Sequence, residues 1–297
     1  MAVPIAIKRN KIIMEEDMRL KDQVAIVTGA GRNIGEDICK LFVQEGAKVA
    51  VVDLDPGRGS RVAGEINAAQ PGKAISIVCD VSSAGSVENM VQLAVKEFGG
   101  VDILVNNAAW TDHKTIFDIT EEEWDRTMNV CLRSVWYCTR SAAQAMIDQK
   151  RRGKIINIAS TSGHWGRKEA TAYTTAKAGV LNLTRSMAVQ LAPEGIRVNS
   201  ISPNRIGSPV GQEAVPKTVS SETLPGGEEY RWTSRRWRFF LHRMTPTLST
   251  PLTCQWTEAL SRSATKFVFK LSSCGTRVHR FASPMPGRTW QSGAPEN

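Results

Sequence analysis

The chain has no dithiol and no metal signature. Its six cysteines form no CxxC pair and no metal-ligand spacing, which argues against a zinc ribbon or a thioredoxin-type redox centre and leaves free thiols in a reducing cytoplasm as the expectation. Four of them fall within expected helices or strands, where buried free Cys packs as a small hydrophobe. Long apolar runs are missing as well. None approaches the roughly 20 residues that a membrane span needs. The first 20 residues carry a short apolar patch without an h-region or a small-residue cleavage site, so no leader is expected. Met14 and Met18 offer alternative starts, and 1–19 reads as a dispensable extension. A basic domain is also lacking, despite the net charge of +9. Twelve Lys and Arg against five Glu lie from Lys217 onward, leaving only +2 for the first 216 residues. The main body therefore offers no polyanion surface, and nucleic acid is not an expected partner.

What is present is ordinary globular material, 41% hydrophobic and 23% charged over 297 residues, enough for one large α/β core. Its most informative stretch runs from 154 to 177. An apolar run (Ile155, Ile156, Ile158) reads as a buried parallel strand ending at Ser160. A loop with Gly163 and Gly166 leads to a helix carrying Tyr173 and Lys177. Residues four apart share a helix face, so the ammonium can lie beneath the phenol. A free phenol has a pKa of about 10, and a neighbouring cation lowers it by stabilising the phenolate. Ser160, at the strand's carboxyl end, could hydrogen-bond the same substrate oxygen. Taken alone, a Tyr–Lys pair is most often a solvated helix face, so the surrounding pattern has to decide.

That pattern is regular. A short apolar strand at 24–27 runs into a glycine-rich turn at 28–35 and a helix marked by Ile38, Leu41 and Phe42, the arrangement that cradles a pyrophosphate against a helix N-terminus. A second strand, 48–53, ends in Asp53, 24 residues after Gly29, near the spacing of a carboxylate that accepts ribose hydroxyls. A third strand ends at Asp80, and a helix spans 86–98. A fourth strand empties into Asn106, Asn107 and Ala108. Thr120 with three following Glu residues reads as the capped start of a helix reaching about 150, with Asn129 near its middle. A sixth strand occupies 196–202. Such alternation predicts an α/β fold, a doubly wound parallel sheet of Rossmann type in a single domain, with ligands at the strands' carboxyl ends. Thr28, Asp53, Asp80, Asn106 and Ser160 all fall there.

On these residues, 20–212 resembles the short-chain dehydrogenase/reductase family, in the subgroup with a TGxxxGxG turn and YxxxK. The matches are the turn, Asp80-Val81, Asn106 to Ala108, Asn129, Ser160 thirteen residues before Tyr173, Lys177, and Pro203 ahead of Ile206. The resemblance implies an oxidoreductase that interconverts a small secondary alcohol and a ketone, 3-oxoacyl reduction being one form of that reaction. Tyr173 would be its general acid/base, Lys177 would tune the phenol and bind the nicotinamide ribose, Ser160 would polarise the carbonyl, and Asn129 would hold a relay water. Gly29, Arg32, Asn33, Ile34 and Gly35 would form the pyrophosphate turn. Asp80 and Val81 would lie at the adenine, Asn106 and Ala108 along the adenosine side, and Pro203, Ile206 and Ser208 at the nicotinamide. Asn33 stands where the family usually has glycine, and Asn tolerates positive φ. Asn204, after Pro203, also replaces a glycine. Asp53 would repel a 2′-phosphate and outweigh the solvated Arg32, so NAD is the expected cofactor rather than NADP. The resemblance further implies a homodimer through helices near 120–150 and 172–191.

Residues 213–297 depart from that family pattern. Half of the eight tryptophans lie after residue 230, among clustered Arg and a Ser/Thr/Pro-rich run. No helical or strand period is read there, and the segment is expected to be an irregular tail of unevolved or out-of-frame character. A basic, Trp-rich run can also serve as a nucleic-acid platform, but no motif accompanies it. The alternative for the whole chain is a catalytically silent or truncated Rossmann protein with a disrupted C-terminus.

Overall fold

The computed structural model describes residues 18–203, together with the backbone of 252–259 and 266–273. Six parallel strands form the body of the sheet: β1 (Val24–Thr28), β2 (Lys48–Asp53), β3 (Ala74–Val78), β4 (Ile103–Asn106), β5 (Lys154–Ile158) and β6 (Arg197–Ser202). Their spatial order is β3-β2-β1-β4-β5-β6. The chain moves outward from β1 in one direction and then starts again from β4 on its other side. This reversal opens a crevice at the carboxyl ends of β1 and β4.

Strands flanked by helices on both faces need apolar residues at every position, and β1 and β4 are buried throughout. The two-residue strand period divides these side chains between two cores. Ala25, Val27, Val49, Val51, Ile103 and Val105 join the apolar faces of α1 (Asn33–Gln44) and α2 (Pro56–Ala69). Ile26, Ala50, Val52, Leu104 and Ile155 meet α3 (Ala84–Phe98), α5 (Ser134–Asp148) and α6 (Thr171–Leu191). Helix starts follow local chemistry. Asp55 caps α2 ahead of Pro56, Ser83 caps α3, and Thr120 with Glu123 makes a reciprocal capping box on α4 (Glu121–Met128). The long helix expected from 120 to 150 is interrupted: a π-helical turn, Asn129–Arg133, separates α4 from α5.

The tail contains more regular structure than its expected irregularity. β7 (Leu252–Ala259) pairs parallel to β6, and β8 (Lys266–Ser273) returns antiparallel at the sheet edge. A physical reason is visible in sequence: Leu252, Cys254 and Trp256 alternate with Thr253, Gln255 and Thr257, and 267–269 is a short apolar run rich in β-forming Phe and Val.

A buried polar row crosses the sheet. Asn106 on β4 faces Asn157 on β5, which faces Ser200 on β6. Asn106 Nδ2 donates to Asn157 Oδ1 at 2.8 Å and to Thr139 Oγ1 at 3.2 Å, and Asn157 Nδ2 donates to Thr184 Oγ1 at 2.9 Å. This network ties β4 and β5 to α5 and α6. Asn157→Ala strands buried partners on both sides and should lower unfolding free energy by roughly 2 kcal/mol, measured as a shift of the urea midpoint at constant m-value.

Candidate active site

The turn between β1 and α1 is fixed from several directions. Gly29 lies at φ +61° and Asn33 at φ +53°, so Asn33 adopts the left-handed backbone that its replacement of glycine demands. A Cβ at Gly35 would lie 2.3 Å from Gly29 O, leaving no room for any side chain. Ala30 N–H donates to Val52 O at 2.9 Å, and Gly31 N–H to Asp53 Oδ2 at 2.8 Å. Arg61, ion-paired with Glu36, donates to Gly31 O at 3.0 Å. Helix α1 starts after Arg32 without a side-chain cap, so its first N–H groups are left for an anion.

The opposite wall comes from the end of β4. Asn107 Nδ2 donates to Thr28 O at 3.0 Å and Gly29 O at 2.9 Å, while Asn107 N–H and Ala108 N–H both donate to Thr28 Oγ1. Sequence reading placed both residues at the strand end but gave a role to Asn106 alone. At the turn itself the contacts come from Asn107, while the Asn106 amide joins the buried row, with Oδ1 enclosed and unpartnered. The doubled Asn was the available signal, since only one of two successive strand-end residues can face each side.

Asp53 closes β2 with both carboxylate oxygens engaged, Oδ1 accepting from Asp55 N–H at 3.0 Å. Asp80 accepts from Ser82 N–H and Ser82 Oγ in the exposed turn before α3, and Val81 is buried in the core. Arg32 and Ile34 flank Asn33 at the start of α1. Pro203 O accepts from Thr161 N–H at 3.0 Å, tying the exit of β6 to the turn after β5. Ile206 and Ser208 lie outside the described residues.

The β5–α6 connection carries Ser160 at its start and leads to Tyr173 and Lys177 on α6. Ser160 Oγ accepts from Ser162 N–H at 3.1 Å and donates to Ser162 Oγ at 3.1 Å, capping the short turn Thr161–Gly163. Ser162 thereby joins the site without any signal in sequence. Tyr173 sits in the first turn of α6 and is half-buried. Lys177 is only 2% exposed, its Nζ donating to Ile158 O at 2.6 Å and lying 5.6 Å from the Tyr173 ring centroid. The expected placement of ammonium beside phenol is present. Asn129 opens the π turn and lines a cleft of about 510 Å³ with Leu132, Trp136 and Gly179. Burial pushes the thiol of Cys131, on the same turn, upward, and the Lys177 ammonium opposes that push. His164 meets Ser202 Oγ at 3.0 Å, and burial, helped by Arg185, holds its imidazole below the ordinary value.

With this geometry in place, similarity to known proteins is informative. The family described as short chain dehydrogenase matches residues 23–218. Over 186 residues the chain is 40% identical to galactitol 2-dehydrogenase of Agrobacterium fabrum, spanning 63% of this chain and 71% of the relative. It is 36% identical to sorbitol dehydrogenase of Cereibacter sphaeroides over 214 residues, 72% and 82% of the two chains. Among solved structures, an NAD+-bound xylitol dehydrogenase superposes with a TM-score of 0.62 at 32% identity, over 65% of this chain and 74% of that one.

The approach of the Ser160 turn to α6 gives a direct test. A Cβ at Gly163 would lie 2.7 Å from Lys177 C and O, too close for real atoms, so Gly163→Ala must push α6 away. A displacement of a few tenths of an ångström should lower turnover by about tenfold or more, read as kcat per folded chain.

Proposed function

The chain belongs to the short-chain dehydrogenase family, whose members are oxidoreductases of CH–OH groups, and from that premise we propose that it interconverts a small secondary alcohol and its ketone with NAD as cofactor. The single observation that supports the reading is Lys177 Nζ seated on Ile158 O at the carboxyl end of β5 and 5.6 Å from the Tyr173 ring centroid, with Ser160 two residues beyond Ile158 on the same connection.

A nicotinamide dinucleotide would supply the hydride. The residues fit such a group on several counts. The uncapped start of α1 and the closely packed glycines leave backbone N–H groups for a pyrophosphate. Lys177 is a buried cation with three donors, one of them taken by Ile158 O, which suits it to ribose hydroxyls. Asp53 at the end of β2 disfavours a 2′-phosphate by charge, which supports NAD over NADP. Tyr173 is the group that exchanges a proton with the substrate oxygen, and Ser160, its one hydroxyl proton turned from Ser162 Oγ, donates a hydrogen bond to the same oxygen. Asn129, at a π turn of the kind frequent at functional sites, holds a water on the route to Lys177. Gly29, Arg32, Asn33, Ile34 and Gly35 form the phosphate turn, and Ala108 and Pro203 border the dinucleotide.

The relatives named for galactitol and sorbitol favour a polyol as the alcohol. A homodimer through the α5–α6 face is supported by its exposed Trp136 beside Leu132 and Gly179. No helix among the described residues is long and apolar enough to cross a membrane, and the buried free cysteines suit a reducing cytoplasm.

The test is Tyr173→Phe, assayed with NAD and a panel of polyols. Removing the transferable proton should cut kcat by about 10²–10⁴-fold, while NADH affinity by fluorescence titration stays near the parent value. Equal turnover in variant and parent would end the assignment.

A further inference from the structure

The helix that carries Tyr173 has no cap of its own. Its N-cap residue, Ala170, sits at φ +71° and can offer no side-chain acceptor. The donors of a first helical turn normally go to a Ser, Thr, Asp or Asn at that position. Here the acceptor comes from 61 residues earlier in the chain. Asp112, in the loop after β4, places Oδ1 2.9 Å from the Tyr173 N–H. The carboxylate is 2% exposed, and its second oxygen, Oδ2, is enclosed without a protein partner. Burying half a carboxylate unpaired is unfavourable, and the positive end of α6 offsets part of that cost.

The rest of the loop is fastened in the same way. Asn107 and Ala108 bond the glycine-rich turn at Thr28 and Gly29. Trp110 N–H donates to Cys131 Sγ at 3.3 Å, and Cys131 Sγ donates to Trp110 O at 3.0 Å, which fixes the loop to the π turn. Lys114 O accepts from Ala170 N–H at 3.0 Å. Residues 107–114 therefore touch, in order, the phosphate turn, the π turn beside Asn129 and the start of the Tyr173 helix.

We propose that Asp112 is a positioning residue for Tyr173: it caps the catalytic helix from outside, and through the 107–114 loop it sets the distance between that helix and the dinucleotide turn. This rests on the functional reading above, so its test carries a readout that needs no turnover. Amide exchange of segment 171–176 is measured by mass spectrometry in the parent, Asp112→Ala, Asp112→Asn and Ser83→Ala, alongside kcat per NADH-binding site and NADH affinity. Ser83→Ala removes a cap from the remote helix α3 and controls for general loss of stability. Asp112→Ala should speed exchange in 171–176 about tenfold and lower kcat per site by about tenfold or more, with little change in NADH affinity. Asp112→Asn keeps a capping oxygen and should restore both readouts to within about threefold, and Ser83→Ala should move neither. If Asp112→Ala fails to fold, Asp112→Ser, with its shorter reach, takes its place under the same expectation. Unchanged exchange in 171–176, faster exchange with parental kcat, or no rescue by Asp112→Asn would overturn the proposal. A parent without turnover on any alcohol would instead count against the functional reading, and the exchange data would still decide the cap.

Discussion

A buried ammonium is the constraint on which the site depends. Lys177 lies in the interior with Ile158 O as its close acceptor. Burying a charge costs several kcal/mol unless it is well hydrogen-bonded, so the end of β5 and the second turn of α6 must stay in register. Gly163 allows the intervening turn to press on the helix backbone at Lys177. Ser160 caps that turn, and Thr161 fastens it to the exit of β6. Tyr173, one helical turn before Lys177, is then placed by the same contacts.

The sheet supplies the stage for this arrangement. The alternate residues of each central strand are divided between two separate cores, so a slip of one residue in any strand would exchange every apolar contact. The buried hydrogen bond from Asn106 Nδ2 to Asn157 Oδ1 adds a second register lock where β4 and β5 approach the site. Rigid strand ends are what allow short polar loops to hold chemistry in place.

Much of this was legible in the sequence because it is local or periodic. Strand runs, the capping box at Thr120, the positive φ of Asn33 and the pairing of Tyr173 with Lys177 each follow from neighbours within a few residues. What sequence reading missed is relational. Asp112 reaches Tyr173 N–H across 61 residues, and Arg61 reaches Gly31 O across 30; no spacing rule announces either contact. The distinction between Asn106 and Asn107 depends on which side of a strand end each faces. The π turn at Asn129 has no propensity signature, so the sequence put that Asn near the middle of one continuous helix. In the tail, the alternation is confined to 252–257, too short a run amid irregular sequence to announce the two strands that extend the sheet there.

The most direct test of the central claim is a calorimetric titration of the purified chain with NADH and with NADPH, repeated on Lys177→Ala. The expected result is one NADH per chain, bound more tightly than NADPH, with Lys177→Ala weakening NADH by about tenfold through the lost charged hydrogen bonds. Equal NADH affinity in parent and variant, or no binding of either dinucleotide, would contradict a dinucleotide site built on the buried ammonium.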